Sequence, residues 1–90
     1  MYLKIRGSVQ GVGFRWFAQQ AAERLKIEGW VRNLPNGEVE AEAQGLPESL
    51  AMFVKELKDG HPYARVDSVE SRQIPPQAPA GTFTIRHRDI

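Results

Sequence analysis

Ninety residues fit one small domain with a single core and are too few for two lobes. Twelve basic and eleven acidic side chains leave a formal net charge of +1, which gives no reason to expect a nucleic acid or an anionic membrane as partner. The chain has no cysteine, so disulfides, thiolate chemistry and cysteine-bound zinc are excluded together.

Charged residues interrupt the chain from Lys4 onward, and no apolar run approaches the ~20 residues a membrane span needs, so a soluble, cytoplasmic protein is expected. Residues 2–7 alternate, with Leu3 and Ile5 on one side and Tyr2, Lys4 and Arg6 on the other, which predicts a strand with one buried face. Three glycines follow within Gly7-Ser8-Val9-Gln10-Gly11-Val12-Gly13, a tight loop that opens a helix. In that helix Phe14, Phe17, Ala18, Ala21, Ala22 and Leu25 form one apolar stripe, and Gln19, Gln20, Glu23 and Arg24 face away. Gly29 is expected to end it, as the residue after the C-cap.

A second strand covers 30–33, and Pro35, Asn36 and Gly37 suit a tight turn into a third strand at 38–44. In this hairpin Val39, Ala41 and Ala43 face the core, while Glu38, Glu40 and Glu42 form an outward row. Such regular alternation is what a solvated sheet face produces rather than a carboxylate pair or metal site, and Lys4 and Arg6 could lie opposite. Pro47 suits a first helical position, and Leu50, Phe53, Val54 and Leu57 repeat at helical spacing up to Gly60. A fourth strand is read over 64–71, where Val66 and Val69 fall out of phase and imply a bulge near Asp67 or Ser68. Residues 75–81 read as a loop, and 82–88 as a short last strand that buries Phe83 and Ile85.

This order predicts an α+β fold, the ferredoxin-like split βαβ sandwich, whose antiparallel sheet is covered on one face by two helices. Right-handed crossovers give the spatial order 4-1-3-2, with the fifth strand added at an edge that the pattern leaves open.

The glycine loop invites a chemical reading. Glycines let backbone N–H groups approach a ligand closely, and the helix that follows adds its own unpaired N–H groups and the positive end of its dipole. Arg15 opposes that dipole unless an anion lies between it and the amides, and phosphate is the obvious candidate. On spacing alone the glycines could equally make a turn beside a solvated Arg15. Neither a Walker loop nor a dinucleotide fingerprint is present, since no Gly-Lys-Ser or Gly-Lys-Thr follows and the third glycine is missing.

The stretch Gly7-Ser8-Val9-Gln10-Gly11-Val12-Gly13-Phe14-Arg15 is similar to the signature of the acylphosphatase family. So are Gly29-Trp30-Val31-Arg32-Asn33, Gly37-Glu38-Val39-Glu40-Ala41 and Ala64-Arg65-Val66-Asp67, in the family's order. The resemblance covers nearly the whole chain and implies one acylphosphatase-like domain over 1–90. It implies a loop from Gly7 to Gly13 that holds the phosphoryl group together with Arg15, and an Asn33 that orients the attacking water. Some members carry Ser or Thr after the asparagine where this chain has Leu34, so a hydroxyl contact from that position is lacking.

Topology brings the same residues together independently. The first and second strands run parallel, so Asn33 ends the second strand at the same end of the sheet as the glycine loop, and its parity with Val31 points it toward Arg15. Taken alone, Asn33 also fits an ordinary turn-flanking asparagine. In sequence the constellation holds no carboxylate, histidine or nucleophile, which suits phosphoryl transfer, where positioning and electrostatic stabilisation dominate. A phosphate monoester leaves as a basic alkoxide, whereas an acyl phosphate leaves as a carboxylate of pKa ~4 that needs no proton. The expected activity is therefore metal-independent acyl phosphate hydrolysis with no cofactor, by a monomer, with inorganic phosphate as product and inhibitor. His61 and His87 read as surface or loop residues, and for Trp16 and Trp30 packing is the favoured role. An RNA-binding sheet is the rival reading, but only Tyr2 and Trp30 supply aromatics to the open face. An inactive or regulatory domain of the same fold is the other, against which the retained Arg15 and Asn33 argue.

Overall fold

The computed structural model describes residues 1–75 and 81–87. Its elements in chain order are β1 (Tyr2–Ser8), α1 (Phe14–Arg24), β2 (Glu28–Asn33), β3 (Val39–Gln44), α2 (Pro47–Asp59), β4 (Arg65–Arg72) and β5 (Phe83–Arg86). The five strands form one sheet in the order β4-β1-β3-β2-β5. The fifth strand thus joins the β2 edge, where it runs parallel to its neighbour. Residues 76–80 of the expected loop, and Arg88 of the expected last strand, lie outside the described residues.

Alternation along the strands builds the core. Leu3 and Ile5 of β1 pair with Ala41 and Val39 of β3, and Val31 of β2 faces Ala41 from the other side. All five are fully buried beneath the helices, which contribute Phe14, Ala18, Ala21 and Ala22 from α1 and Phe53 and Leu57 from α2. The buried alanines of α1 let this helix settle close to β2 and β5, and Phe53 meets Phe83 edge to face at 5.7 Å. Phe17 and Leu25, expected in the α1 stripe, pack only at its margin.

Gly29 does not end α1. Lys26 takes the left-handed position after the Leu25 cap at φ 59°, and Lys26 N–H donates to the Glu23 carbonyl while Ile27 N–H donates to that of Ala22. That pair of bonds is a Schellman closure, and burial of Ile27 seals it. Gly29 instead lies inside β2 at φ 145°, where a Cβ atom would stand 1.9 Å from the Glu42 carbonyl oxygen. A glycine here permits close approach of two strands, which the sequence pattern alone does not separate from a helix stop. The bulge expected in β4 is present: Arg6 pairs with Ser68 and Gly7 with Val66, leaving Asp67 as the extra residue.

The open sheet face is charged but largely self-paired. Arg6 binds Glu38 at 2.7 Å and Glu70 at 3.2 Å. Glu40, expected in a solvated row, is buried instead, because Arg32 holds it at 2.5 Å and the Tyr2 hydroxyl donates to it at 2.6 Å. Burial works to raise the Glu40 carboxyl, yet the hydrogen bonds from Tyr2 and Arg32 and the positive charges of Arg32 and Lys4 overcome it and hold the group below the usual carboxylate range. Burial, with the Glu40 charge beside it, pushes the Tyr2 phenol up to about 12. The aromatic rings of this face lie under arginines, Tyr2 beneath Arg72 at 4.9 Å and Trp30 beneath Arg86 at 4.4 Å.

Because β1 and β2 are both antiparallel to β3, and β5 is parallel to β2, the C-terminal ends of β1, β2 and β5 share one end of the sheet. The glycine loop, Asn33 and His87 lie at that end.

Candidate active site

The loop between β1 and α1 is shaped by two left-handed glycines, Gly11 at φ 78° and Gly13 at φ 73°. Among the described residues, chain neighbours aside, no atom lies within 4 Å of where a Cβ would project from either, so conformation rather than crowding demands glycine there. Gly13 is the N-cap of α1. Among the described residues no side chain caps the helix, and no acidic residue occupies its first turn, so its first N–H groups keep their positive character.

These elements enclose a cavity of about 270 Å³ lined by Val9, Gln10, Gly11, Gly13, Phe14, Arg15, Trp16, Asn33, Ile85 and His87. Arg15 enters from the first turn of α1 and Asn33 from the end of β2. The Asn33 Oδ1 atom is buried and meets no donor among the described residues. An orphaned acceptor in such a place ordinarily costs stability, so a role in a site explains it better than packing does. Trp16 stands at the rim, 62% exposed.

The other residues of the expected loop divide by role. Gly7 and Ser8 complete β1 opposite Val66 and Arg65 and do not line the cavity. A Cβ on Gly7 would come within 2.0 Å of the Arg65 carbonyl oxygen, so this glycine serves the strand contact at the bulge. Val9 anchors the loop by its fully buried side chain, leaving only backbone for a ligand. Gln10 donates from Nε2 to the carbonyl oxygens of Leu34 and Glu38. Val12 does not line the cavity. Its carbonyl accepts from His61 Nε2 at 2.9 Å, and His61 Nδ1 accepts from the N–H groups of Tyr63 and Ala64. Amides only donate and carbonyls only accept, so this ring is neutral with its proton on Nε2. His61 also packs edge-on against Phe17 at 5.1 Å.

Two site residues escape the sequence pattern, His61 behind the loop and His87 within the cavity. His87 has no ligand partner nearby in sequence, and only the parallel placement of β5 beside β2 brings it to Arg15, with Nδ1 3.4 Å from Nη1. Among the described residues no group of three or more His, Asp or Glu side chains could hold a metal ion. A larger cavity of about 480 Å³ lies at the opposite end of β2, around Trp30, Glu42 and Arg86. Chemistry rather than size decides between them, since Arg86 there lies over the Trp30 ring whereas Arg15 lines the smaller cavity beside Gly11 and Gly13.

The acylphosphatase family model matches residues 1–85. The chain belongs to the acylphosphatase family. It is 41% identical over 83 residues to an acylphosphatase from Clostridium beijerinckii, covering 92% of each chain. Its fold superimposes on the structure of an acylphosphatase from Coxiella burnetii with a TM-score of 0.89 at 35% identity, covering 94% of this chain and 88% of that one. The acylphosphatase crystal structure from Bacillus subtilis matches with a TM-score of 0.82 at 36% identity over 94% of each chain. The ferredoxin-like sandwich and the family expected from the glycine loop are thus both found. Among the described residues no helix is long and apolar enough to cross a membrane.

Proposed function

We propose that this acylphosphatase family member hydrolyses the carboxyl–phosphate bond of acyl phosphates to carboxylate and inorganic phosphate, by direct attack of water and without a metal. The observation that carries the reading is the convergence on one cavity of Arg15, the Gly11 and Gly13 backbone and the unpartnered Asn33 Oδ1. In this reading the loop amides and Arg15 hold the equatorial phosphoryl oxygens, where charge collects in a loose transition state. Asn33 Oδ1 accepts a hydrogen from the attacking water and aligns it, removing no proton. Among the described residues no carboxylate lines the cavity, and the carboxylate leaving group needs no acid. Inorganic phosphate, the product, fits the same oxyanion site and acts as an inhibitor. The reading includes action as a monomer in the cytoplasm.

The open sheet face does not favour an RNA partner, because arginines already cover the Tyr2 and Trp30 rings on which bases would stack. The test is hydrolysis of an acyl phosphate and of a phosphate monoester with excess chelator present. Turnover of the acyl phosphate alone is expected. Activity on neither would favour a binding or inactive domain, and activity that returns only with Mg²⁺ would overturn the mechanism.

A further inference from the structure

His87 is the titratable group that the proposed reaction does not use, and it lies against Arg15 in the cavity. A guanidinium has donors and no acceptor, so Nδ1 of His87 accepts and the ring in this arrangement is neutral. An imidazolium could not accept that bond and would be repelled by Arg15. Two cations side by side in one cavity are stabilised when an anion bridges them.

We infer that His87 is a second binding residue for the phosphoryl anion: neutral, it orients the Arg15 guanidinium, and protonated, it turns from acceptor to donor and shares a dianion with Arg15. The inference rests on the reading of the glycine loop and Arg15 as the phosphoryl site. Proton uptake by His87 and dianion binding then strengthen each other by the same factor.

Among the described residues Arg15 is the charged side chain that faces His87. On β2 the neighbour is the neutral Asn33, and the loop offers backbone and the carboxamide of Gln10. Arg32 and Arg86 stack on Trp30 at the opposite face of the sheet. His61, the other histidine, acts with the opposite sign, since protonating its Nδ1 would break its bonds to Tyr63 and Ala64 and loosen Val12.

Sulfate is the suitable probe, because it stays a dianion from about pH 5.5 to about pH 8.5, so any slope in its binding belongs to the protein. Sulfate binding is followed through the amide NMR shifts of Gly11, Gly13 and Arg15 in the wild type and in His87→Gln, which keeps an acceptor for Arg15 but cannot take up a proton. Wild-type affinity should rise about tenfold from the upper to the lower pH. The affinity of the variant at the lower pH should stay within about twofold of its own value at the upper. A flat wild type, or a variant that keeps the slope, overturns the role of His87 and leaves the loop reading standing so long as sulfate shifts these amides. Absence of sulfate binding at every pH overturns the phosphoryl site itself, and the inference with it.

Discussion

The Gln10 carboxamide reaches across from the glycine loop to the turn after β2, where its Nε2 donates to the Leu34 carbonyl oxygen at 2.9 Å and to that of Glu38 at 3.0 Å. The loop and the residue next to Asn33 are therefore tied by one side chain. Gln10→Ala should loosen their relative placement while leaving the exposed surface and core unchanged. Turnover is expected to fall about tenfold, with a melting temperature close to wild type, because small misplacements of reacting groups are expensive in rate. Steady-state kinetics beside thermal denaturation checks this, and an unchanged kcat would leave Gln10 as a surface contact.

Arg15→Ala should weaken phosphate inhibition and slow turnover together, because in the proposed mechanism the guanidinium contacts the phosphoryl group before and during reaction. Loss of such a donor costs on the order of 3 kcal/mol, or about a hundredfold in rate. The circular dichroism spectrum should stay native, since no core contact is removed. Near-normal kinetics would return Arg15 to an ordinary helix surface.

Asn33→Ala should separate binding from catalysis. In the proposed mechanism its unpartnered Oδ1 takes the water, so phosphate inhibition should remain near wild type while kcat falls by about a hundredfold. An equal fall in phosphate affinity would make Asn33 a phosphate ligand or a support for the loop.

The Tyr2–Glu40–Arg32 network makes stability depend on pH at both extremes. Glu40 is held below its unfolded value of ~4.3, so its contribution is present above that pH and is lost as pH falls through the lower folded value. Tyr2, pushed up to about 12, contributes below its unfolded value and loses that contribution as the pH rises toward the folded one. Glu40→Gln should lower stability at neutral pH by about 1–3 kcal/mol and flatten the acid limb. Urea denaturation across the pH range measures both, and an acid limb as steep as wild type would assign it to other carboxylates.

Gly29→Ala should be far more damaging than Gly13→Ala, although both positions have positive φ. At Gly13 nothing among the described residues obstructs a Cβ, and the left-handed backbone costs about 1–2 kcal/mol. At Gly29 the Cβ would meet the Glu42 carbonyl at 1.9 Å, which forces β2 and β3 apart. A loss above about 3 kcal/mol, or failure to fold, is expected. Comparable melting temperatures for the two variants would contradict this account.

These cases also mark where the sequence is informative. Strand and helix faces were legible because Leu3 and Ile5, or Leu50, Phe53 and Leu57, repeat with the period of the element that buries them, and the out-of-phase Val66 and Val69 disclosed the bulge. Arg15 and Asn33 could be brought together because strand direction follows from connection order. Gly29 misled because a glycine near a helix end and a glycine demanded by strand contact look alike in one dimension, and the left-handed Lys26 carries no sequence mark. Burial of Glu40 depends on partners from two other strands, which alternation cannot report. His61 and His87 reach the site through tertiary contacts alone, the second through a fifth strand whose edge the pattern left open.

The bulge at Asp67 also bears on how copies of this protein meet in solution. With β4 at one edge of the sheet, its outer row of N–H and C=O groups is a template on which another chain could extend the ladder. The extra residue breaks the even spacing such extension needs, and the exposed Arg65 and Asp67, paired at 3.1 Å, place charge where an incoming strand would lie. At the far edge β5 offers only four residues, too short a run to nucleate pairing with a neighbour. The irregularity that fits β4 to Gly7 therefore also discourages edge-to-edge growth, the first step by which an open sheet would seed aggregation.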